Sequence, residues 1–290
     1  MVTAGAQQAF DLLARILVTP GKTTVAVEEP GYPPLRNVLA MAGAKVVSVP
    51  VDGEGIRVDR LPRSTKVICV TPSHQFPLGV HLSLPRRSAL LDFAQAHGAV
   101  IIEDDYDGEF RFAGQPLDAL KTLDHAQSVF YVGTFSKSLF PSLRLGFVIA
   151  PGWALHALVT AKQLTDWNAP LVAQDVLTAF ITEGHLARHV RKMRRIYSER
   201  HDILQSAIER FCARQLKVVG IGAGLHLAAL LNGSISATAL IERAQAAGIR
   251  LHALQKFAAA DHKAEGLVFG YGAIESQQIG DGVRRLARLM

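Results

Sequence analysis

The sequence predicts an α/β fold: a mixed, mostly parallel sheet with helices on both faces, followed by a smaller C-terminal α/β lobe. Three observations carry this. Apolar runs of strand length alternate with amphipathic helical segments through the first half of the chain. One of those runs, Ala99 to Ile102, ends in a cluster of acids, as strands of open α/β sheets do where they meet a ligand. The 290 residues are 49% hydrophobic, enough to bury a large core and to divide into a bigger and a smaller unit.

Taken in order, Gly5-Ala6-Gln7 opens an amphipathic helix with Phe10, Leu13, Ile16 and Leu17 on one face. Val25 to Val27 predicts a strand, Leu35 to Met41 a helix, and Lys45 to Val49 the next strand. Ser83 before Pro85 is the N-cap of a helix with proline in its first turn, and Gly98 ends that helix. Ser128 to Val132 and Leu145 to Ala150 bracket a loop, and after Ala169-Pro170 the pattern turns helical for roughly forty residues. From His185 to Leu204, the residues Leu186, Val190, Met193, Tyr197 and Leu204 recur at helical spacing, with Arg188, Arg191, Lys192, Arg194, Arg195 and Arg200 on the remaining faces. Leu225 to Leu231 begins the small lobe, which closes with a helix through Met290. The expected organisation is a large domain over residues 1–165, connecting helices over 166–205 and a small domain over 206–290.

Composition excludes several classes. No stretch approaches the length of a membrane-spanning helix, and Met1-Val2-Thr3-Ala4-Gly5 has no basic leader, so a cytoplasmic protein is expected. Cys69 and Cys212 read as reduced, packed thiols. The net charge of +6 sits largely in the 185–204 helix, whose basic side reads first as a solvated face linking two lobes and second as a DNA track or a surface for an acidic partner. No helix-turn-helix, zinc-finger or RNA-binding pattern accompanies it. Pro20-Gly21-Lys22-Thr23 ends like a phosphate-binding loop, but the required first glycine falls at Ile16. Gly220-Ile221-Gly222-Ala223-Gly224 leads into a strand where a dinucleotide fingerprint leads into a helix.

Two segments carry chemistry. Gly133-Thr134-Phe135-Ser136-Lys137, with Arg144 beyond it, sets one lysine among small hydroxyls and one arginine nearby. An amine in a confined pocket has a lowered pKa and condenses with an aldehyde, while hydroxyls and a guanidinium grip a phosphate. A solvated lysine in a turn is the alternative. The second segment is Glu103-Asp104-Asp105-Tyr106-Asp107-Gly108-Glu109. An aspartate there can hold the proton on the ring nitrogen of pyridoxal phosphate, and a phenol can hydrogen-bond the ring hydroxyl. An acidic loop facing water and a metal site are the other readings. The metal is discounted because the loop holds no His or Cys and its spacing misses the calcium pattern.

Together with Thr71-Pro72-Ser73-His74-Gln75-Phe76-Pro77 and Glu29-Pro30-Gly31-Tyr32-Pro33, these segments resemble the fold-type I pyridoxal-phosphate-dependent aminotransferases. The chain more closely resembles the aminotransferase-like domain of the MocR family of bacterial transcription regulators. The resemblance runs through essentially the whole chain, to Gly270-Tyr271-Gly272 and the closing helix. It implies that Lys137 forms the Schiff base with pyridoxal 5'-phosphate, Asp104 pairs with the pyridine nitrogen and Tyr106 contacts the ring oxygen. It assigns the phosphate to Arg144, Thr134, Ser136 and the backbone amides of Ala6 and Gln7, and a helix N-terminus suits an anion on physical grounds as well. It places Tyr32 on the cofactor ring and His74 near its edge. It also implies a homodimer, with sites between subunits, and a small amine or amino-acid ligand.

Three departures matter. Phe76 stands where many transaminases carry an asparagine, and Ala6 where the family carries a phosphate-binding serine. The arginine that clamps an amino-acid carboxylate is expected at about Val268, yet the segment Leu267-Val268-Phe269-Gly270-Tyr271 has none. Without a bidentate clamp an amino acid loses orientation. The resulting expectation is an effector-sensing domain of a MocR-type regulator, without the DNA reader of the family. A catalytically active transaminase, with Lys137 shuttling a proton, is the alternative, and a degenerate fragment without cofactor is a third reading. Relative to the family the chain looks N-terminally truncated, since the segment matching Val2 to Gln7 there follows a DNA reader, a linker and an arm that helps close the cofactor site.

Overall fold

Strands with continuous apolar runs have to be covered on both faces, and the central strands carry such runs at Val25-Ala26-Val27, Val67-Ile68-Cys69-Val70 and Val100-Ile101-Ile102. The computed structural model describes residues 1–112, 118–220, 222–233, 235–259 and 264–290. Its larger sheet uses β1 (Val2–Thr3), β2 (Thr24–Glu29), β3 (Lys45–Asp52), β4 (Gly55–Ile56), β5 (Thr65–Val70), β6 (Val100–Asp105), β7 (Val129–Thr134) and β8 (Gly146–Ile149). They lie in the order β1-β8-β7-β6-β5-β2-β3-β4. The run from β3 through β2, β5 and β6 to β7 is parallel, while β4, β8 and β1 join antiparallel at the two edges.

Alternation along these strands divides the core. Val25, Val27, Val67 and Cys69 pack on one face with Phe10 and Leu13 of α1 (Ala6–Leu17), Leu35 and Leu39 of α2 (Pro33–Met41), and Leu158 of α5 (Leu155–Thr165). Ala26, Ile68 and Val70 point the other way, onto Leu90 and Ala94 of α3 (Leu84–His97) and Leu120 of α4 (Leu120–Leu123). The period of two in the sequence thus becomes helices on both faces. Both ends of α3 are as expected: Ser83 Oγ accepts from the Arg86 amide at 3.4 Å, and Gly98 closes the helix in the left-handed region at φ 57°.

Beyond α6 (Leu171–Thr182), helix α7 (His185–Cys212) continues past Leu204 because Ala207, Ile208 and Cys212 extend the apolar stripe. That stripe packs on a four-stranded antiparallel sheet of β9 (Leu216–Val219), β10 (His226–Leu231), β11 (His252–Ala253) and β12 (Gly266–Gly270), in the order β11-β12-β10-β9 among the described residues. Helices α8 (Ala237–Ala246) and α9 (Ser276–Ala287) complete this lobe. The basic side of α7 is exposed at Arg188, Arg191, Lys192 and Arg195, whereas the Arg194 guanidinium donates to the Glu109 carbonyl at 2.7 Å and that of Arg200 to the Gly272 carbonyl at 2.6 Å. Backbone bonds from Gly31 to Phe257 (2.9 Å) and from Gly224 to Phe110 (2.7 Å) tie the small lobe to the large one. Cys69 and Cys212 are free and buried, and none of the described helices is long and apolar enough to cross a membrane.

Candidate active site

A cavity of about 390 Å³ opens where the C-terminal ends of the parallel strands meet the small lobe. Nine of the ten residues picked out from the sequence line it: Ala6, Gln7, Tyr32, Asp104, Tyr106, Thr134, Ser136, Lys137 and Arg144. The remaining one, His74, stands behind Tyr106, where its ring is stacked at 6.1 Å.

One end of the cavity suits an anion. Helix α1 begins at Gly5 with no side-chain cap, so its first-turn amides are left for a ligand. The Thr134 hydroxyl donates to Ser136 Oγ at 3.1 Å, and the Ser136 amide donates back to Thr134 Oγ1 at 3.2 Å, holding two hydroxyls side by side. The Arg144 guanidinium donates to the Ala4 carbonyl at 2.7 Å and lies against Gly5, where a Cβ would come within 3.0 Å of it. Gly5 also has φ 78°, so both its backbone and its neighbour require glycine there.

The acidic loop faces protein, and Glu103, Asp105 and Asp107 each have a task of their own. Glu103 accepts from the Leu120 and Lys121 amides at 2.8 and 2.9 Å, capping α4. Asp105 accepts from the Tyr131 hydroxyl at 2.7 Å, and Asp107 from His74 Nδ1 at 3.0 Å. Asp104 differs. It is 3% exposed and, unlike Asp105 and Asp107, lines the cavity; its buried Oδ1, like one oxygen of each of those two, has no hydrogen-bond partner among the described residues. Burial, and after it the carboxylates of Asp105, Asp107 and Glu28, push its pKa well above the ordinary range, with Lys137 opposing. Such a carboxylate calls for a cationic N–H inside the cavity.

Tyr106 and Tyr32 form the apolar walls. The Tyr106 hydroxyl donates to the His74 carbonyl at 2.9 Å and lies 3.1 Å from His74 Nδ1, which fixes the phenol. Tyr32 is held edge-on by Phe10 at 6.5 Å and Phe76 at 5.6 Å. Behind Phe76, the buried carboxylate of Glu28 accepts from the Thr71 amide (3.1 Å), the Thr71 hydroxyl (2.6 Å) and Gln75 Nε2 (3.3 Å). Gln75 in turn donates to the Pro30 and Phe76 carbonyls. Burial pushes Glu28 up to about 7.

The structure changes one sequence expectation and adds residues that the sequence did not single out. Lys137 is exposed on the rim, because the turn after β7 carries it beyond the strand end, so the confined lysine pictured from sequence is not formed within one chain. Among the described residues the acidic loop forms no metal-binding group by itself, yet His74, Asp107 and His226 bring their ligand atoms within 4.8 Å of one another, a grouping that spacing along the chain could not show. Phe10, Phe76, Pro141, Leu225, His226 and Gly270 also line the cavity. His226 follows Gly224-Leu225 at the start of a strand and pairs with Gly270 across the β10–β12 ladder, so the Gly270-Tyr271-Gly272 segment was the one signal pointing toward it. Val268, the expected position of a carboxylate clamp, lies in an apolar cluster with Leu254 and Phe257.

The chain was compared with known proteins. Residues 1–264 match the family described as aminotransferase class I and II. A probable rhizopine catabolism regulatory protein, MocR of Rhizobium meliloti, is 37% identical over 287 residues, covering 99% of this chain and 58% of that protein. The pyridoxine biosynthesis transcriptional regulator PdxR of Corynebacterium glutamicum is 34% identical over 94% of this chain and 59% of its own length. An aromatic-amino-acid aminotransferase of Thermococcus litoralis is 30% identical over 99% of this chain and 71% of that enzyme. Among solved structures, the Pyrococcus horikoshii kynurenine aminotransferase superposes with a TM-score of 0.94 at 29% identity, over all of this chain and 74% of that one. The chain thus spans under two thirds of the regulators it matches.

Proposed function

The chain belongs to the class I and II aminotransferase family, and from that premise we propose that it is a pyridoxal-phosphate-binding, effector-sensing domain of a MocR-type transcription regulator. The observation that carries the cofactor is the unpartnered, buried Oδ1 of Asp104 in the same cavity as Lys137. The donor set fits the group. Asp104 would hold the protonated ring nitrogen, and Lys137 would supply the amine for the aldehyde. Thr134, Ser136, Arg144 and the amides of Ala6 and Gln7 would take the phosphate, with Tyr32 against the ring and Tyr106 at its oxygen. His74 acts through Tyr106, whose hydroxyl it holds. When bound, the cofactor supplies an electron sink for bonds at the amine-bearing carbon.

The regulator reading is favoured because the MocR and PdxR relatives match at 37% and 34% identity, against 30% for the aminotransferase. A small amine is the ligand, and a second copy of the chain completes the site. The exposed rim supports this: Lys137 is open, Tyr32 is 37% exposed, and Leu171, Val172 and Val176 of α6 are largely bare.

Borohydride reduction of the purified chain with pyridoxal phosphate, followed by peptide mapping, tests the reading. Label confined to Lys137 is expected; no label, or label spread over surface lysines, overturns it. Transfer of an amine to a keto acid, lost in Lys137→Ala, would replace the sensor by a transaminase.

A further inference from the structure

His226 stands on the cavity wall at the head of β10, facing Gly270 across the ladder. Its ring packs 4.7 Å from His74 and 5.1 Å from Phe76. Its Nε2 lies 3.1 Å from the Pro77 carbonyl oxygen. A carbonyl oxygen only accepts, so Nε2 carries the hydrogen. A second proton is disfavoured by burial first, then by His74 and Lys137; the bond to Pro77 pulls the other way without prevailing, and the pKa lies well below the ordinary value. A neutral imidazole with its hydrogen on Nε2 keeps the lone pair on Nδ1. His226 is therefore an acceptor.

An acceptor selects its ligand. Among the described residues that line the cavity the cations are Lys137 and Arg144, which the preceding reading commits to the aldehyde and the phosphate. A carboxylate brought to the His226 wall would meet a lone pair, Phe76 and Leu225, and would lose its water without replacement from the described residues of this wall. A hydroxyl or N–H brought there finds a partner. We infer that His226 determines specificity, and that the cavity takes a primary amine whose far end offers a hydrogen-bond donor, an amino alcohol or hydroxylated amine, in place of an amino acid. This rests on the cofactor reading above.

The test is absorbance titration of the pyridoxal-phosphate-loaded chain with propanolamine, butylamine and β-alanine, which share a primary amine and differ at the far end. Propanolamine is expected to bind about five-fold more tightly than butylamine, the gain of one neutral hydrogen bond, with β-alanine weakest. His226→Phe is expected to abolish the difference between the first two, and His226→Leu serves if that variant misfolds. Equal binding of the alcohol and the alkylamine, or tighter binding of β-alanine, overturns the inference. A separate readout uses the cofactor-free chain: nitrogen NMR near neutral pH is expected to show His226 protonated on Nε2 alone, and a hydrogen on Nδ1 overturns it. Failure of Lys137 to label with borohydride would instead bring down the cofactor reading, while the tautomer would still be decided by NMR.

Discussion

Asp104 shows how one side chain among five acids can be set apart: Glu103, Asp105 and Asp107 hold a helix cap, a tyrosine and a histidine, while Asp104 is the one of the five that lines the cavity. Asp104→Asn is expected to weaken cofactor retention by about ten-fold or more, the scale of a charged hydrogen bond, measured as the dissociation constant of pyridoxal phosphate. Glu28 yields a pH prediction. Folded, it keeps its proton up to about 7, against an ordinary value of 4.5. Between those values the folded state binds more protons than the unfolded one, so stability falls as pH rises through the window. Glu28→Gln keeps an acceptor for Thr71 and removes the charge. Its stability relative to wild type in urea should be flat below the window and should rise across it, by on the order of 1 kcal/mol per pH unit. A difference independent of pH would refute the assignment.

At the level of elements, the N-terminus of α1 and the turn carrying Arg144 are locked together through Gly5. Gly5→Ala must place a methyl group against a guanidinium at a positive φ, so a loss of roughly 1 kcal/mol or more in unfolding free energy is expected, together with weaker binding of the cofactor phosphate. Ser83→Ala is the contrasting variant. It removes the cap of α3 and should cost about 1 kcal/mol by denaturant unfolding while leaving cofactor affinity unchanged. Elements with local signals were legible in the sequence: the capped α3, the period-two strands and the amphipathic α1 each declare themselves within a few residues. The lower reach of α7, past Leu204, was less so, because the burial of Ala207, Ile208 and Cys212 depends on the lobe that covers them.

For the whole molecule, the bare apolar side of α6 is the property to test. Val172 and Val176 are 76% and 63% exposed, on a helix whose Ala173 and Leu177 cluster with Phe135 and Leu139, the residues flanking the turn of Lys137. Light scattering is expected to give twice the chain mass, and Val172→Glu combined with Val176→Glu to halve it and lower cofactor affinity; an unaltered mass would place the second copy elsewhere. The same scale explains what sequence could not deliver. Motifs located Lys137, Asp104 and Arg144, but His226 belongs to the other sheet, and only folding brings it to His74, which lies 152 positions earlier in the chain. The cavity wall is accordingly divided, with Asp104 and Thr134 riding on the larger sheet and His226 and Gly270 on the smaller. A molecule held there is walled by both sheets at once, so a substitution on either sheet's share of the wall alters what the one cavity accepts.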